Sequence, residues 1–121
     1  MKILLYVFAL SLCVPFAHAH DTSWSATFNT SAYLPNCTGT FRTATGKYAD
    51  AAKRYIAVDR RVIPMHSKVC VENMGCYTAE DTGGAIKGHK LDILMATKSQ
   101  ALQWGRRNVK ATVYPYHQHK D

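Results

Sequence analysis

The sequence predicts a single small all-β domain, a β-barrel with one short helix near its C-terminal end. Short apolar runs of strand length recur along the chain, and turn-forming residues separate them. Residues 68–72 alternate polar and apolar side chains, and Asn73-Met74-Gly75 divides them from a second run, 76–80, as in a hairpin. The chain has 121 residues and no internal repeat, which is enough for one domain and one modest core.

The strand signals follow one another from the first third of the chain. Residues 20–31 are polar and predict either a loosely held N-terminal arm or a first strand. Residues 56–58 predict a short buried strand that ends at Asp59, and residues 62–65 predict a turn that enters another strand. Residues 91–95 and 109–114 predict the last two strands, and residues 117–121 form a polar tail.

One helix is predicted between these last two strands. Thr97 is followed three residues later by Gln100, which is the capping-box pattern, and the helix should end near Arg106. Leu102 and Trp104 are expected to pack it against the domain.

The N-terminal residues predict a secretory signal peptide. Lys2 is a short positive region, residues 3–14 are an apolar stretch too short to span a bilayer, and Ala17-His18-Ala19 has the small-x-small form of a cleavage site. We therefore expect residues 1–19 to be removed before His20. The protein should be secreted or periplasmic, without stable membrane insertion.

The charge balance predicts an anionic partner. Without Lys2, fourteen Lys and Arg residues face eight Asp and Glu residues. An exported basic protein suits nucleic acid, phospholipid head groups or anionic cell-wall polymers, and a merely solvated basic surface is the alternative. No Lys/Arg run exceeds two residues, so we expect no nucleic-acid partner.

Three cysteines follow the signal peptide: Cys37, Cys70 and Cys76. An exported compartment favours disulfides, and three thiols allow one bridge with one thiol left over. Cys70 and Cys76 flank a turn and are the favoured pair, although the other pairings stay open. Nothing stands at metal-ligand spacing beside them, and nothing positions a second histidine for a copper site at His20, so we expect no metal and no cofactor.

Three aspartates interrupt or end apolar runs: Asp59, Asp81 and Asp92. An acid in such a place costs free energy unless it is exposed or paired, and the alternative to a functional role is that each closes a turn. If the three converge, burial and mutual repulsion should raise the pKa of at least one. A carboxyl that stays protonated near neutral pH is what glycosidic cleavage needs to protonate the leaving oxygen.

These residues also carry a resemblance to a known family. The run Asp81-Thr82-Gly83-Gly84-Ala85-Ile86-Lys87-Gly88, followed by Leu91-Asp92-Ile93, resembles the 3D (three-aspartate) domain, as do residues 56–59 and 101–107. The resemblance spans roughly residues 32–114 and implies a 3D domain over 32–116 that folds as a six-stranded double-psi β-barrel. Met65 and His66 stand where relatives usually have Leu-Gly.

The resemblance implies a function in the cell wall. The barrel is similar to those of the membrane-bound lytic transglycosylase A type and of stationary-phase peptidoglycan lysins, which cleave the MurNAc-β-1,4-GlcNAc bond and leave 1,6-anhydroMurNAc. Asp92 matches the acid/base of these enzymes, and Asp81 and Asp59 match their supporting aspartates. Residues expected to bind substrate are Lys87, Thr82, Gly83, Gly84 and Tyr77.

The expected partners are peptidoglycan glycan strands and anionic cell-wall polymers, bound by a monomer. The alternative function is a non-catalytic, expansin-like module that binds wall glycan.

Overall fold

The computed structural model describes residues 22–36 and 38–117. The predicted signal peptide with its cleavage site, Cys37 and most of the polar tail lie outside the described residues. Within the described ranges, no helix is long and apolar enough to cross a membrane.

Six strands of the described chain close into a barrel in the order β1-β5-β2-β4-β3-β6. The pairs β1/β5 and β2/β4 are parallel, and the other pairs are antiparallel. The predicted all-β, six-stranded barrel with a short helix is therefore confirmed. The strands are β1 (Trp24–Tyr33), β2 (Tyr55–Ala57), β3 (Lys68–Val71), β4 (Gly75–Asp81), β5 (Lys90–Leu94) and β6 (Arg107–Tyr114).

The first strand is part of the barrel. Residues 24–30 pair with β6 and residues 29–33 pair with β5, so the strand alternative is correct and the arm alternative is wrong. The barrel starts at Trp24 rather than at residue 32. Local composition hides this strand, because its partners lie about sixty to ninety residues further along the chain. Even a polar residue is buried here: Thr30 is 0% exposed because its hydroxyl donates to Arg107 O and accepts from Trp104 Nε1.

Inward-facing apolar side chains fill the barrel. Each fully buried Val, Leu, Ile or Phe contributes about 1.5–3 kcal/mol relative to exposure, so this core is the main source of stability. The fully buried members include Phe28, Ile56, Val69, Ala79, Leu91, Ile93 and Val113.

The segment after β2 is a turn that leads into β3, as residues 62–65 predicted. Asp59 O accepts hydrogen bonds from Val62 N (2.8 Å) and Ile63 N (2.9 Å), which folds the chain back. The Ile63 side chain is then buried at the barrel end. The strand that this turn enters, β3, begins at Lys68, so the predicted turn into another strand is confirmed.

The hairpin and the helix lie where the sequence predicted them. β3 and β4 are antiparallel, and a disulfide joins the directly paired Cys70 and Cys76. The helix α1 (Lys98–Trp104) begins with the full capping box, in which Gln100 N donates to Thr97 Oγ1 (3.1 Å) and Thr97 N donates to Gln100 Oε1 (3.2 Å). Trp104 is buried as expected, whereas Leu102 is 71% exposed and its predicted packing role is wrong.

Candidate active site

One row of paired residues crosses four neighbouring strands on the outer face of the barrel. Ala57 pairs with Asp81 of β4 on one side and with Asp92 of β5 on the other, and Asp92 pairs in turn with Ser31 of β1. Leu91 and Ile93 point into the core, so Asp92 between them points outward. Two strand spacings place the Cα atoms of the two aspartates roughly 10 Å apart, with Ala57 of β2 between them in the row.

Asp92 is partly buried in a cavity of about 400 Å³ and keeps an elevated pKa. Burial raises the pKa of this carboxyl above its usual value and outweighs the hydrogen bond that Ser31 Oγ donates to Oδ1 (3.0 Å). The charge of Asp81 raises the pKa further, while Arg106 and Lys90 oppose the shift. Asp92 therefore has the environment of a carboxyl that holds its proton at a higher pH than an ordinary aspartate.

Asp81 is buried and accepts three hydrogen bonds. Tyr33 Oη donates to Oδ2 (3.0 Å), and the backbone N–H groups of Ala44 and Thr82 donate to Oδ1 (both 2.9 Å). Burial raises the pKa of Tyr33, and the charges of Asp81 and Asp92 raise it further. The charges of both carboxylates therefore interact with the Tyr33 phenol. The phenol stays protonated and donates its hydrogen bond to Asp81.

Asp59 has a different role from the other two aspartates. Its carboxylate binds the Arg61 side chain through Nε (3.1 Å) and Nη2 (2.9 Å), and Oδ2 also accepts from Gly88 N (2.8 Å). The hydrogen bonds from Arg61 and Gly88 hold the pKa of Asp59 well below its usual range, although burial opposes them. The ionised Asp59 carboxylate therefore links the turn after β2 to the loop after β4 through hydrogen bonds. Asp59 does not line the Asp92 cavity.

The loop after β4 separates two cavities. Ile86 is buried and lines both the Asp92 cavity and a second one of about 610 Å³. Gly83 permits this arrangement, because a Cβ at that position would lie 2.9 Å from Ile86 Cγ1. The second cavity contains the predicted substrate-binding residues of the loop together with two arginines: it is lined by Thr82, Gly83, Gly84, Lys87, Asp59, Arg60 and Arg61.

Tyr77 lies elsewhere. Its ring is buried under the Arg54 guanidinium, 4.2 Å from the ring centroid, and it lines a third cavity that contains none of the three aspartates. Tyr77 is close to Asp81 in sequence, but the strand carries the two residues to different faces and ends of the barrel wall.

Sequence reasoning missed three residues of the site: Ser31, Tyr33 and Glu80. Glu80 is 1% exposed and accepts from Thr45 Oγ1 (2.6 Å), Lys47 Nζ (3.1 Å) and His66 Nδ1 (3.0 Å). The β2–β4 register shifts at this point, so consecutive Glu80 and Asp81 are both buried on the same strand. The sequence contained one indication of the role of Glu80, namely that it stands next to Asp81. Two adjacent acids in a buried strand each require their own hydrogen-bond donors.

His66 contributes to this network from an unusual backbone conformation. Its φ is +74°, the left-handed region that favours glycine, which accounts for the glycine expected at this position from the family resemblance. In this chain the imidazole binds Glu80 and lies against Tyr116, 5.4 Å between ring centroids.

The described chain is a closed barrel in which Asp92 opens onto a cavity bordered by the glycine-containing loop after β4. The sequence profile of the 3D domain matches residues 54–115, just over half of the 121-residue chain. The chain belongs to the 3D domain family.

Two relatives from Bacillus subtilis (strain 168) are similar over most of this chain. YabE, named for cell wall shaping, is 46% identical over 91 residues, which is 72% of this chain and 22% of YabE. The cell wall-binding protein YocH is 41% identical over 96 residues, which is 77% of this chain and 33% of YocH. The chain thus spans about a fifth to a third of the length of these relatives.

Among solved structures, the crystal structure of MltA from E. coli is similar with a TM-score of 0.51 and 23% sequence identity. The match covers 65% of this chain and 28% of the MltA chain. At this level of identity the likeness is one of fold.

Proposed function

We propose that the protein is a peptidoglycan lytic transglycosylase of the cell wall, with Asp92 as its single acid/base. The observation that carries the proposal is the state of Asp92, a carboxyl with a raised pKa that still opens onto a cavity. Its place in the family motif and the wall-related names of two relatives support the substrate class. MltA, the structural neighbour, has the barrel type that the sequence resemblance implied.

In the first step, protonated Asp92 donates its proton to the glycosidic oxygen between MurNAc and GlcNAc. The bond from that oxygen to C1 of MurNAc breaks, and GlcNAc leaves with a new hydroxyl group. Positive charge develops on the MurNAc ring, next to a carboxylate that has just become ionised.

In the second step, the C6 hydroxyl of MurNAc attacks C1 and transfers its proton to Asp92. This step forms the 1,6-anhydro ring and regenerates the protonated acid, so no water is consumed. One carboxyl serves both steps, unlike ordinary glycoside hydrolysis, in which a second carboxyl acts as nucleophile or activates water.

The neighbouring residues prepare Asp92 for this cycle. The charge of Asp81 favours the protonated form before the first step, and Ser31 Oγ stabilises the carboxylate formed after it. Tyr33 and two backbone N–H groups hold Asp81 in place. Lys87, with Thr82 and the two glycines of the loop, is proposed to bind glycan in the adjoining cavity.

The test is digestion of purified sacculi and mass analysis of the released muropeptides. Wild type should release products that end in 1,6-anhydroMurNAc, lighter by one water than hydrolysis products. Asp92→Asn should lower the rate by roughly a hundred- to ten-thousand-fold, because the amide cannot donate and recover the proton. Asp50→Asn is the matched control, since Asp50 is exposed and an asparagine also caps the following turn.

Full activity in Asp92→Asn would overturn the role of Asp92. Products with ordinary reducing ends would indicate a hydrolase, with a second acid such as Asp81 activating water.

The second candidate is a non-catalytic module that binds wall glycan. The observation that favours it is the name of YocH, a cell wall-binding protein that is 41% identical to this chain. In that case wild type and Asp92→Asn should sediment with sacculi equally well and release nothing. Salt should weaken this binding, because exposed Lys and Arg side chains become screened.

A further inference from the structure

A third cavity, separate from the aspartates, lies on the other side of α1. Ala101 and Gly105 line the Asp92 cavity, whereas Gln100, Gln103 and Trp104 line the third, so the helix forms a wall between the two. The third cavity measures about 620 Å³, within the range of small-molecule sites, roughly 300–1,000 Å³. Its other lining residues are Ala51, Ala52, Arg54, Asn73, Met74, Tyr77, Leu94, Met95, Ala96 and Arg107.

Arg54 is held rigidly at one edge of this cavity. Its guanidinium stacks on Tyr77 and donates to two carbonyls of the disulfide-closed turn, through Nε to Cys76 O (3.0 Å) and through Nη2 to Met74 O. Gly75 makes the approach possible, since its φ is +90° and a Cβ there would lie 3.1 Å from Arg54 Nη2. The disulfide hairpin therefore fixes the position of this cation.

Arg107 is held in the same manner from the helix side. Its guanidinium carbon lies 4.0 Å from the Trp104 ring centroid, and it donates through Nε to Trp104 O (2.9 Å) and through Nη2 to Gln103 O (3.0 Å). Among the described residues, both arginines use Nε and Nη2 for their hydrogen bonds to the protein, so Nη1 of each can donate to a ligand.

The lining is complementary to an acidic ligand with small apolar groups. Among the described residues no Asp or Glu lines the cavity, while two fixed guanidinium groups do. Alanine, leucine and methionine side chains supply apolar surface, and Asn73, Gln100 and Gln103 supply amide groups that pair with peptide bonds. Guanidinium groups bind carboxylates with strong, directed hydrogen bonds.

We propose that this cavity binds a short peptide with small apolar side chains and free carboxylates, of the chemical kind attached to MurNAc in peptidoglycan. The identity of the peptide rests on the proposed function, whereas the chemistry of the cavity does not. An α-helix is about 10–12 Å across with its side chains, so one wall polymer reaches both cavities, glycan beside Asp92 and peptide beyond α1.

The test is calorimetric titration of the protein with the tripeptide L-Ala-γ-D-Glu-L-Ala, N-acetylated and without sugar. We expect saturable binding that Arg107→Gln weakens by about tenfold or more, because a charge-assisted hydrogen bond is lost. Arg42→Gln is the matched control, since Arg42 also stacks on an aromatic ring, that of Tyr48, but lines none of the three cavities. The same peptide with its carboxylates amidated loses its ionic contact with both arginines, so it should bind to wild type at least as weakly as the unmodified peptide binds to Arg107→Gln.

Ala52→Trp provides a second variant that fills the cavity without removing an arginine contact, and it should also abolish binding. Thermal unfolding of each variant verifies folding. Absence of binding to wild type, equal binding to Arg107→Gln and Arg42→Gln, or equal binding of the amidated peptide would overturn the proposal.

The outcome is independent of the enzyme assay. Peptide binding without release of anhydro products would support this site and reject glycosidic cleavage. Release of anhydro products without peptide binding would support glycosidic cleavage and reject this site. A peptide-free glycan oligomer, titrated in parallel, should not displace the tripeptide from this cavity. Displacement of the tripeptide by that oligomer would show that the cavity takes sugar and would overturn the peptide assignment.

Discussion

Glu80→Gln should destabilise the protein by about 2 kcal/mol at pH 7, because it removes the charge at the centre of a buried network. The Thr45 hydroxyl, 2.6 Å from the carboxylate, accounts for about 1 kcal/mol. Lys47 and His66 are 49% and 44% exposed, so water screens them and each adds only a few tenths of a kcal/mol. The remainder comes from the NH₂ group of the introduced glutamine, which must face one of these donors.

This effect should depend on pH. Burial of Glu80 favours a higher pKa, but hydrogen bonds from Thr45, His66 and Lys47 outweigh it and lower the pKa below the ordinary value of 4.5. The folded-state pKa is thus below the unfolded one, so the stabilisation is fully present above about pH 4.5 and is lost as the pH falls through the folded-state pKa. A protonated carboxyl and the amide of the variant are both uncharged and both carry a donor, so wild type and variant should converge in acid.

Urea unfolding followed by tryptophan fluorescence measures both effects. We expect the free-energy gap between wild type and Glu80→Gln to be about 2 kcal/mol at pH 7 and to narrow as the pH is lowered in steps below 4.5. Glu72→Gln, at an exposed turn position, is the control and should show no gap at any of these pH values. The absence of a gap at pH 7, or a gap that keeps its full size throughout the acid range in which the protein is still folded, would refute this account of the network.

Three further changes test other parts of the structure. Ser31→Ala removes a hydrogen bond that lowers the pKa of Asp92, so the alkaline limb of the pH–rate profile should move to higher pH; a move to lower pH would contradict the role of Asp92 as acid. Asp59→Asn breaks the ion pair with Arg61 and should lower muropeptide release less than Asp92→Asn does, because Asp59 positions the loop and transfers no proton. Thr97→Ala removes the helix cap and should lower the free energy of unfolding in urea by about 1 kcal/mol; an unchanged transition midpoint would contradict this.

Elements defined by local patterns were predictable. The hairpin follows from alternation on both sides of a short turn, and the start of α1 follows from the reciprocal hydrogen bonds of a capping box, which need only residues three apart. The site motif is also local, since Asp81, the loop and Asp92 lie within twelve consecutive residues. Such features have their physical cause within the segment that displays them.

Elements that depend on distant partners were not predictable. β1 reads as a polar arm because five of its ten residues are Ser, Thr or Asn, and its pairing with β5 and β6 is what makes it a strand. Ser31 and Tyr33 enter the site through that pairing, and no pattern around them indicates a role. The same reason separates Tyr77 from Asp81, because strand alternation and the register shift at Glu80 decide which side chains share a face.

The sequence by itself determined the fold class, the short-range elements and the identity of the three aspartates, because each depends on residue type and local spacing. Only the tertiary structure decided the environment of each aspartate. Burial and the charge of Asp81 raise the pKa of Asp92, whereas Arg61 and Gly88 lower that of Asp59. The three side chains are chemically identical, and their differences come from solvent exclusion and from the donors around each. Some donors are local, such as Arg61 beside Asp59, and others, such as Gly88, are brought by the fold.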